Sequence, residues 1–227
     1  MASQGLNTVA GRIQRPVPLR EAVYEAILDL ITTRALSPGH HLVETELAQT
    51  LGVSRQPVRE AMQRLSNEGW VDLRPGYGAF VHTPTESEAD QLLAVRALLE
   101  TESARLAAAN ASPEQVGHLR DLVAAGRAAT ELADTDAVVQ ANADFHRTVT
   151  EASGNRVLAE LAAQVDRRVR WYYAPVARIR GAASWDEHAG LVDVIEAGDA
   201  DQALRLMSEH TERTRRTYHE RVDGDGS

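Results

Sequence analysis

Apolar residues recur at helical spacing along most of this chain, and the pattern is read first. Val23, Ile27, Leu30 and Ile31 form one stripe in a helix expected from Leu19 to about Arg34, closed by the turn residues Ser37-Pro38-Gly39. Glu44 to Leu51 predicts a short helix with Leu47, Ala48 and Leu51 inward, and Gly52 permits a tight turn after it. The next helix runs on from Leu51-Gly52-Val53-Ser54 to Leu65. Ser54 is expected to cap it by accepting a hydrogen bond from a first-turn amide, and Pro57 falls where amides lack an intrahelical partner. Val58, Met62 and Leu65 then share one side, and Arg55, Gln56, Arg59 and Gln63 another. Such a helix pair is a helix-turn-helix, whose second helix can lie in the major groove of DNA. An amphipathic helix with outward arginines is also common on soluble proteins, so spacing alone leaves DNA reading open.

Beyond it the period changes. Trp70–Leu73 and Ala79–Val81 read as two short strands joined by a Gly-rich tip, Arg74 to Gly78. This is either a wing whose Gly76 approaches a DNA backbone or a plain surface hairpin. Residues 83–85 form the linker, with Thr85 and Glu88 as a capping box for the helix that follows. Caps at Ser112, Asp134, Ser184 and Asp199 then help mark helices near 86–109, 113–131, 135–152, 156–173, 185–197 and 200–220. The expected architecture is mainly α: a winged helix-turn-helix over residues 18–82 and a six-helix antiparallel bundle over 86–222. Residues 1–17 and 223–227 are expected to be disordered.

Composition narrows the chemistry. The apolar fraction of 43% and charged fraction of 25% are those of a soluble globular protein, and 4% aromatics favours helices over sheets. With no cysteine, any metal must be held by histidine and by carboxyl or amide oxygen. No signal-peptide core or long apolar run is present, so a cytoplasmic protein without membrane contact is expected. The net charge of −9 argues against a nucleic-acid partner until it is divided: residues 1–82 carry 8 Arg and 8 acidic residues, the remainder 16 Arg and 25 acidic residues. The first part therefore sums to zero, and a local Arg cluster there can still meet phosphate.

Three histidines and one asparagine in the second part carry candidate chemistry. Asn142 and His146 lie four residues apart on one helix face. His188 precedes Gly198 by ten residues and His210 follows it by twelve, so a turn at Gly198-Asp199 brings both to nearly one height. Three converging imidazoles suit zinc, nickel or a related divalent ion. Scattered helical histidines are the plainer reading of the same spacing. His40, His41, His82, His118 and His219 show no such pattern. Trp171-Tyr172-Tyr173 reads as a buried aromatic cluster or a pocket wall, and Arg213, Arg215 and Arg216 as a solvated helix face.

Residues 23–81 resemble the winged helix-turn-helix of GntR-type bacterial transcription regulators. The resemblance rests on Ser37-Pro38-Gly39, Leu47-Ala48, Gly52-Val53-Ser54-Arg55, Pro57-Val58-Arg59-Glu60-Ala61 and Glu68-Gly69 in that family's order and spacing. The second part resembles the helical FCD effector domain of the family's FadR branch through Asn142, Phe145-His146, Glu187-His188, Ile195-Glu196-Ala197-Gly198-Asp199 and His210. The resemblance implies DNA contacts from Thr45, Ser54, Arg55, Gln56, Pro57, Arg59 and Gly76. It also implies a divalent metal ion, zinc before nickel, held by Asn142, His146, His188 and His210. Asn stands where metal-bearing members have Asp or Asn, which makes the fourth ligand a neutral amide oxygen. Arg96 in Val95-Arg96-Ala97-Leu98-Leu99-Glu100 matches an arginine near the effector pocket; its alternative is a surface salt bridge to Glu100.

The expected function is a homodimeric regulator, a repressor, that binds a two-fold double-stranded DNA operator and responds to a small organic acid held through the metal. Two other classes remain: a metal-dependent hydrolase, and a regulator whose metal is structural or absent. Against the first, no carboxylate stands at a spacing that suggests a general base, and the amino-terminal part would have no purpose.

Overall fold

The computed structural model describes residues 17–173 and 176–225, without the side chains of residues 170, 172–173, 176–179 and 221–225. Residues 1–16 of the expected arm, and the side chains of Tyr172 and Tyr173, lie outside what is described. The chain divides into two compact units, residues 1–83 and 84–227.

The first unit begins with α1 (Leu19–Thr32), whose buried face is Val23, Tyr24, Ile27, Leu28 and Ile31. His40 N–H donates to Ser37 O at 3.0 Å, closing the Ser-Pro-Gly turn after it. A strand the sequence pattern did not predict follows, β1 (His41–Leu42). Two residues are too few to show a period, and only pairing with a distant strand defines it. Helices α2 (Glu44–Leu51) and α3 (Arg55–Asn67) come next, and Gly52 between them has φ 65°, a left-handed conformation that favours glycine. Hairpin strands β2 (Val71–Arg74) and β3 (Gly78–Val81) complete an antiparallel sheet of order β1-β3-β2. Its tip is a turn in which Tyr77 N–H donates to Arg74 O at 2.9 Å, with Pro75 and a positive-φ Gly76 at the centre.

The Ser54 cap is a correction. Ser54 occupies the N-cap position with extended backbone, but its side chain accepts no amide hydrogen bond. The usual donors are the second and third helical amides, and the third residue here is Pro57, which has none.

The second unit contains α4 (Glu86–Asn110), α5 (Pro113–Glu131), α6 (Thr135–Ala152), α7 (Arg156–Tyr173), α8 (Val176–Glu196) and α9 (Ala200–Asp225). Local chemistry sets most of the starts. Thr85–Glu88 and Ser112–Gln115 form reciprocal capping boxes, and Asp134 and Asp199 accept from Ala137 and Gln202 amides at 3.1 and 2.9 Å. Helix α4 packs on α6, α7, α8 and α9, and a core of Leu119, Phe145, Val149, Val192 and Met207 fills the interior.

Two expectations fail in this unit. Ser184 does not start a helix: α8 begins at Val176, and its backbone breaks instead at Gly181, φ 37° and ψ −126°. Ser184 is buried because Trp185 beside it inserts against α5, where Gly126 has no side chain to obstruct the ring and Thr130 Oγ1 accepts from Trp185 Nε1 at 3.1 Å. The last helix also runs past its expected end near residue 220. Helix α9 continues to Asp225, with no proline to stop it. Among the described residues no helix is long and apolar enough to cross a membrane.

Candidate metal centre and DNA interface

On α3, burial follows the predicted faces: Val58, Ala61, Met62 and Leu65 are inward, while Arg55, Gln56, Arg59 and Gln63 are exposed. Thr45 and Gly76 are exposed as well. An open groove of about 620 Å³ runs between α2, α3 and the hairpin, and Thr45, Arg55, Arg59, Arg74 and Gly76 line it. Ser54, Gln56 and Pro57 are not among the lining residues. Gln56 instead donates to Glu60 at 2.8 Å.

Glu44 stands between the two arginines. Arg59 donates to it through Nε and a terminal nitrogen at 2.9 and 2.8 Å, and Arg55 at 3.0 Å. Those hydrogen bonds, that of Arg59 first, hold the Glu44 carboxyl at about 2. Periodicity could not reveal this, because Glu44 is on a different helix from its partners. Arg74, held over the Phe80 ring at 4.5 Å, also faces the groove and was absent from the expected contacts.

In the second unit the three spaced histidines do converge. His146 comes from α6, His188 from α8 and His210 from α9; all are buried, and one ligand atom from each lies within 4.8 Å of the others. His188 Nε2 and His210 Nε2 are 3.4 Å apart, close to the roughly 3.3 Å between tetrahedral nitrogens about 2.0 Å from one ion. Burial lowers the pKa of all three below the ordinary imidazole value, which keeps ring lone pairs available. His188 Nδ1 is buried without a hydrogen-bond partner, and its ring stacks on Phe145 at a centroid distance of 4.1 Å. This donor set fits a divalent ion. Asn142 is half-buried and lines, with His146 and His210, a small cavity of about 50 Å³.

Arg96 lines that cavity and a larger one of about 320 Å³ on the α7 side of His146, walled by Leu99, Ala143, Ala159, Ala162 and Ala163. Its Nε donates to Glu100 Oε1 at 2.7 Å. The pair forms, but it is no surface bridge: the two side chains are 11% and 7% exposed. Burial raises the Glu100 carboxyl to about 6 in spite of Arg96. On the other side of the triad, Glu187 Oε2 accepts from His210 Nδ1 at 2.7 Å and from Arg180 at 2.5 Å. Burial would raise Glu187, but these hydrogen bonds outweigh it and hold the carboxyl at about 2.

Arg180 was missed because the predicted helix began only at 185. Arg180 lies before the break at Gly181 and Glu187 after it, so helical spacing does not bring the pair together and only the folded kink does. The expected solvated arginines also need correction. Arg213 lies 2.7 Å from Glu187, and Arg215 donates twice to Asp90 of α4, at 2.6 and 2.8 Å, so both tie α9 to neighbouring helices. Trp171 is buried.

Comparison with known proteins agrees with both units. Residues 19–81 match the bacterial regulatory proteins of the gntR family, and residues 91–213 match the FCD domain. The chain is 30% identical over 224 residues to the putative L-lactate dehydrogenase operon regulatory protein of Escherichia coli K12, covering 86% of this chain and 84% of that one. It is 26% identical over 211 residues to the E. coli K12 HTH-type transcriptional repressor RspR, covering 89% and 90%. The solved structure of E. coli McbR/YncC superposes with a TM-score of 0.70 at 22% identity, over 90% of this chain and 99% of that chain, which shows a shared fold. The chain belongs to the gntR family of bacterial regulatory proteins, with an FCD effector domain, and is a DNA-binding transcriptional regulator rather than an enzyme.

Proposed function

We propose that this regulator is a cytoplasmic repressor that binds a two-fold operator as a homodimer and answers to a small organic acid through a metal ion in its helical unit. The observation that carries the reading is the buried convergence of His146, His188 and His210 beside a cavity lined by Asn142 and Arg96. These three imidazoles and the Asn142 amide would hold the ion, zinc before nickel. The ion supplies a Lewis-acidic partner for a carboxylate, and Arg96 supplies a guanidinium for the same anion. Hydroxy acids, sugar acids and dicarboxylates all suit that pair of cations.

Arg55 and Arg59 contact bases or phosphates. Thr45, Ser54, Gln56 and Pro57 lie beside them, and Gly76 at the hairpin tip meets the backbone. Repression is supported by the relative described as a repressor, and an acid effector by the one described as regulating a lactate dehydrogenase operon. The homodimer is supported by α4 and α7, which pack together and leave Val95, Leu98, Val157 and Leu161 exposed. Acid changes operator affinity to the extent that it binds the free and DNA-bound forms differently.

The test is thermal melting of zinc-loaded protein across a panel of small carboxylic acids, repeated after chelation. One acid class is expected to raise the melting temperature by an amount equivalent to about 2.7 kcal/mol at a hundredfold excess over its dissociation constant. The rise should vanish with the metal. No rise with any acid would contradict the effector assignment and leave the metal a structural role.

A further inference from the structure

Three imidazoles and a carboxamide are all neutral ligands, so a divalent ion among them brings two positive charges into a buried place with no compensation from its own donors. Two carboxylates, Glu100 buried and Glu187 partly buried, stand immediately behind the imidazoles. Glu187 of α8 accepts the Nδ1–H of His210, which fixes that tautomer and leaves Nε2 with its lone pair toward His188. Glu100 of α4 places Oε1 3.2 Å from His146 Nδ1, close but not aligned as a hydrogen bond, and its Oε2 is buried without a partner.

Each carboxylate is in turn held by arginine, Glu100 by Arg96 and Glu187 by Arg180 and Arg213. Arg96 donates to Glu100 from one turn away on α4. Arg180 donates to Glu187, and also to His210 O at 3.2 Å and to Thr214 Oγ1. The same order of groups, guanidinium to carboxylate to imidazole, therefore occurs twice around one point. His188 has no such backing: Phe145 stacks on its ring and Trp185 meets it edge-on at 5.0 Å.

Resting on the reading that the triad holds a divalent ion, we propose that Glu100 and Glu187 are positioning residues for the metal centre, orienting His146 and His210 toward the ion. Arg96 and Arg180 keep those carboxylates in place. A carboxylate behind a ligating imidazole fixes its tautomer and raises its basicity, and losing one typically weakens metal binding 10–100-fold.

The test uses the full-length protein and the variants Glu100→Gln and Glu187→Gln, which keep side-chain shape and remove charge. Zinc affinity is read by competition with a chelator, the ligand field by the visible spectrum of the cobalt(II) form, and folding by the melting temperature of metal-free protein. Each variant is expected to bind zinc about 10–100-fold more weakly, with shifted cobalt bands, a loss beyond the fall in metal-free stability that leaving Arg96 or Arg180 without its carboxylate causes. Glu102→Gln, at an exposed pair with Arg105, is expected to change none of these. Wild-type affinity and spectrum in both variants would overturn the proposal, as would weakened affinity matched by an equal loss of metal-free stability. If Glu187→Gln does not fold, Glu187→Asp decides: the charge is kept but drawn back from Nδ1, so weaker zinc binding supports the proposal and unchanged binding overturns it. A wild-type protein that binds neither zinc nor cobalt would instead refute the metal reading itself.

Discussion

Both units set arginines against a glutamate, in opposite surroundings. Glu44 holds Arg55 and Arg59 on the groove face, where the arginine side chains are 58% and 56% exposed. Water screens those pairs, and a competing phosphate can take the arginines at small cost. In the helical unit the side chains of Arg180 and Glu187 are 9% and 19% exposed, and removing one partner would strand the other charge. The same pair of side chains thus gives an exchangeable contact on one unit and a fixed frame in the other. Burial decides which.

That contrast can be broken most forcefully inside the bundle. His210→Ala removes a proposed ligand and the hydrogen-bond donor to Glu187 together, and zinc affinity is expected to fall by two to three orders of magnitude, about a quarter of the binding free energy of a four-ligand site. A chelator titration checks this, and a fall of less than tenfold would mean His210 is not a ligand. Arg59→Ala, on the exposed unit, is expected to cost about 1–3 kcal/mol of operator binding and, if the contact is to phosphate, to reduce the salt slope by about one. It should leave zinc affinity unchanged.

Glu44→Gln sharpens the contrast further. Freed from their carboxylate, both arginines are expected to bind random duplex DNA a few-fold more tightly at low salt, with discrimination for the operator reduced. Unchanged binding to both duplexes would show that Glu44 neither competes with nor positions the arginines.

The smallest effect is expected at the half-exposed tie between α4 and α9. Hydrogen bonds from Arg215 hold the Asp90 carboxyl at about 2, below its ordinary 3.8. A depressed carboxyl contributes stability that is complete above about pH 3.8 and is lost as pH falls toward 2. Asp90→Asn should therefore lower the melting temperature by about 1–2 °C near neutrality, and that difference should narrow below pH 4. A difference that grows in acid would contradict the assignment.

The fold was legible wherever a rule is local. Capping residues marked four helix starts in the second unit, and the 3.6-residue period gave the buried face of α3. Strand β1 escaped because two residues carry no period, and Ser184 misled because a serine three residues before a glutamate looks like a cap even when Trp185 anchors it in the interior. The histidines could be brought together from a turn and a rise per residue. Their carboxylate backing could not: Glu100 reaches His146 from a different helix, and Arg180 meets Glu187 only across the break at Gly181. Pairwise contacts between helices leave little trace in one sequence.

The most direct test of the whole account is operator binding by zinc-loaded protein, using a duplex selected from a random library, with and without the stabilising acid and then again after chelation. The account predicts a shift of operator affinity of roughly five-fold or more that requires both acid and metal, and that is absent from His188→Ala. An acid that raises the melting temperature through the metal yet leaves operator affinity unchanged would contradict it.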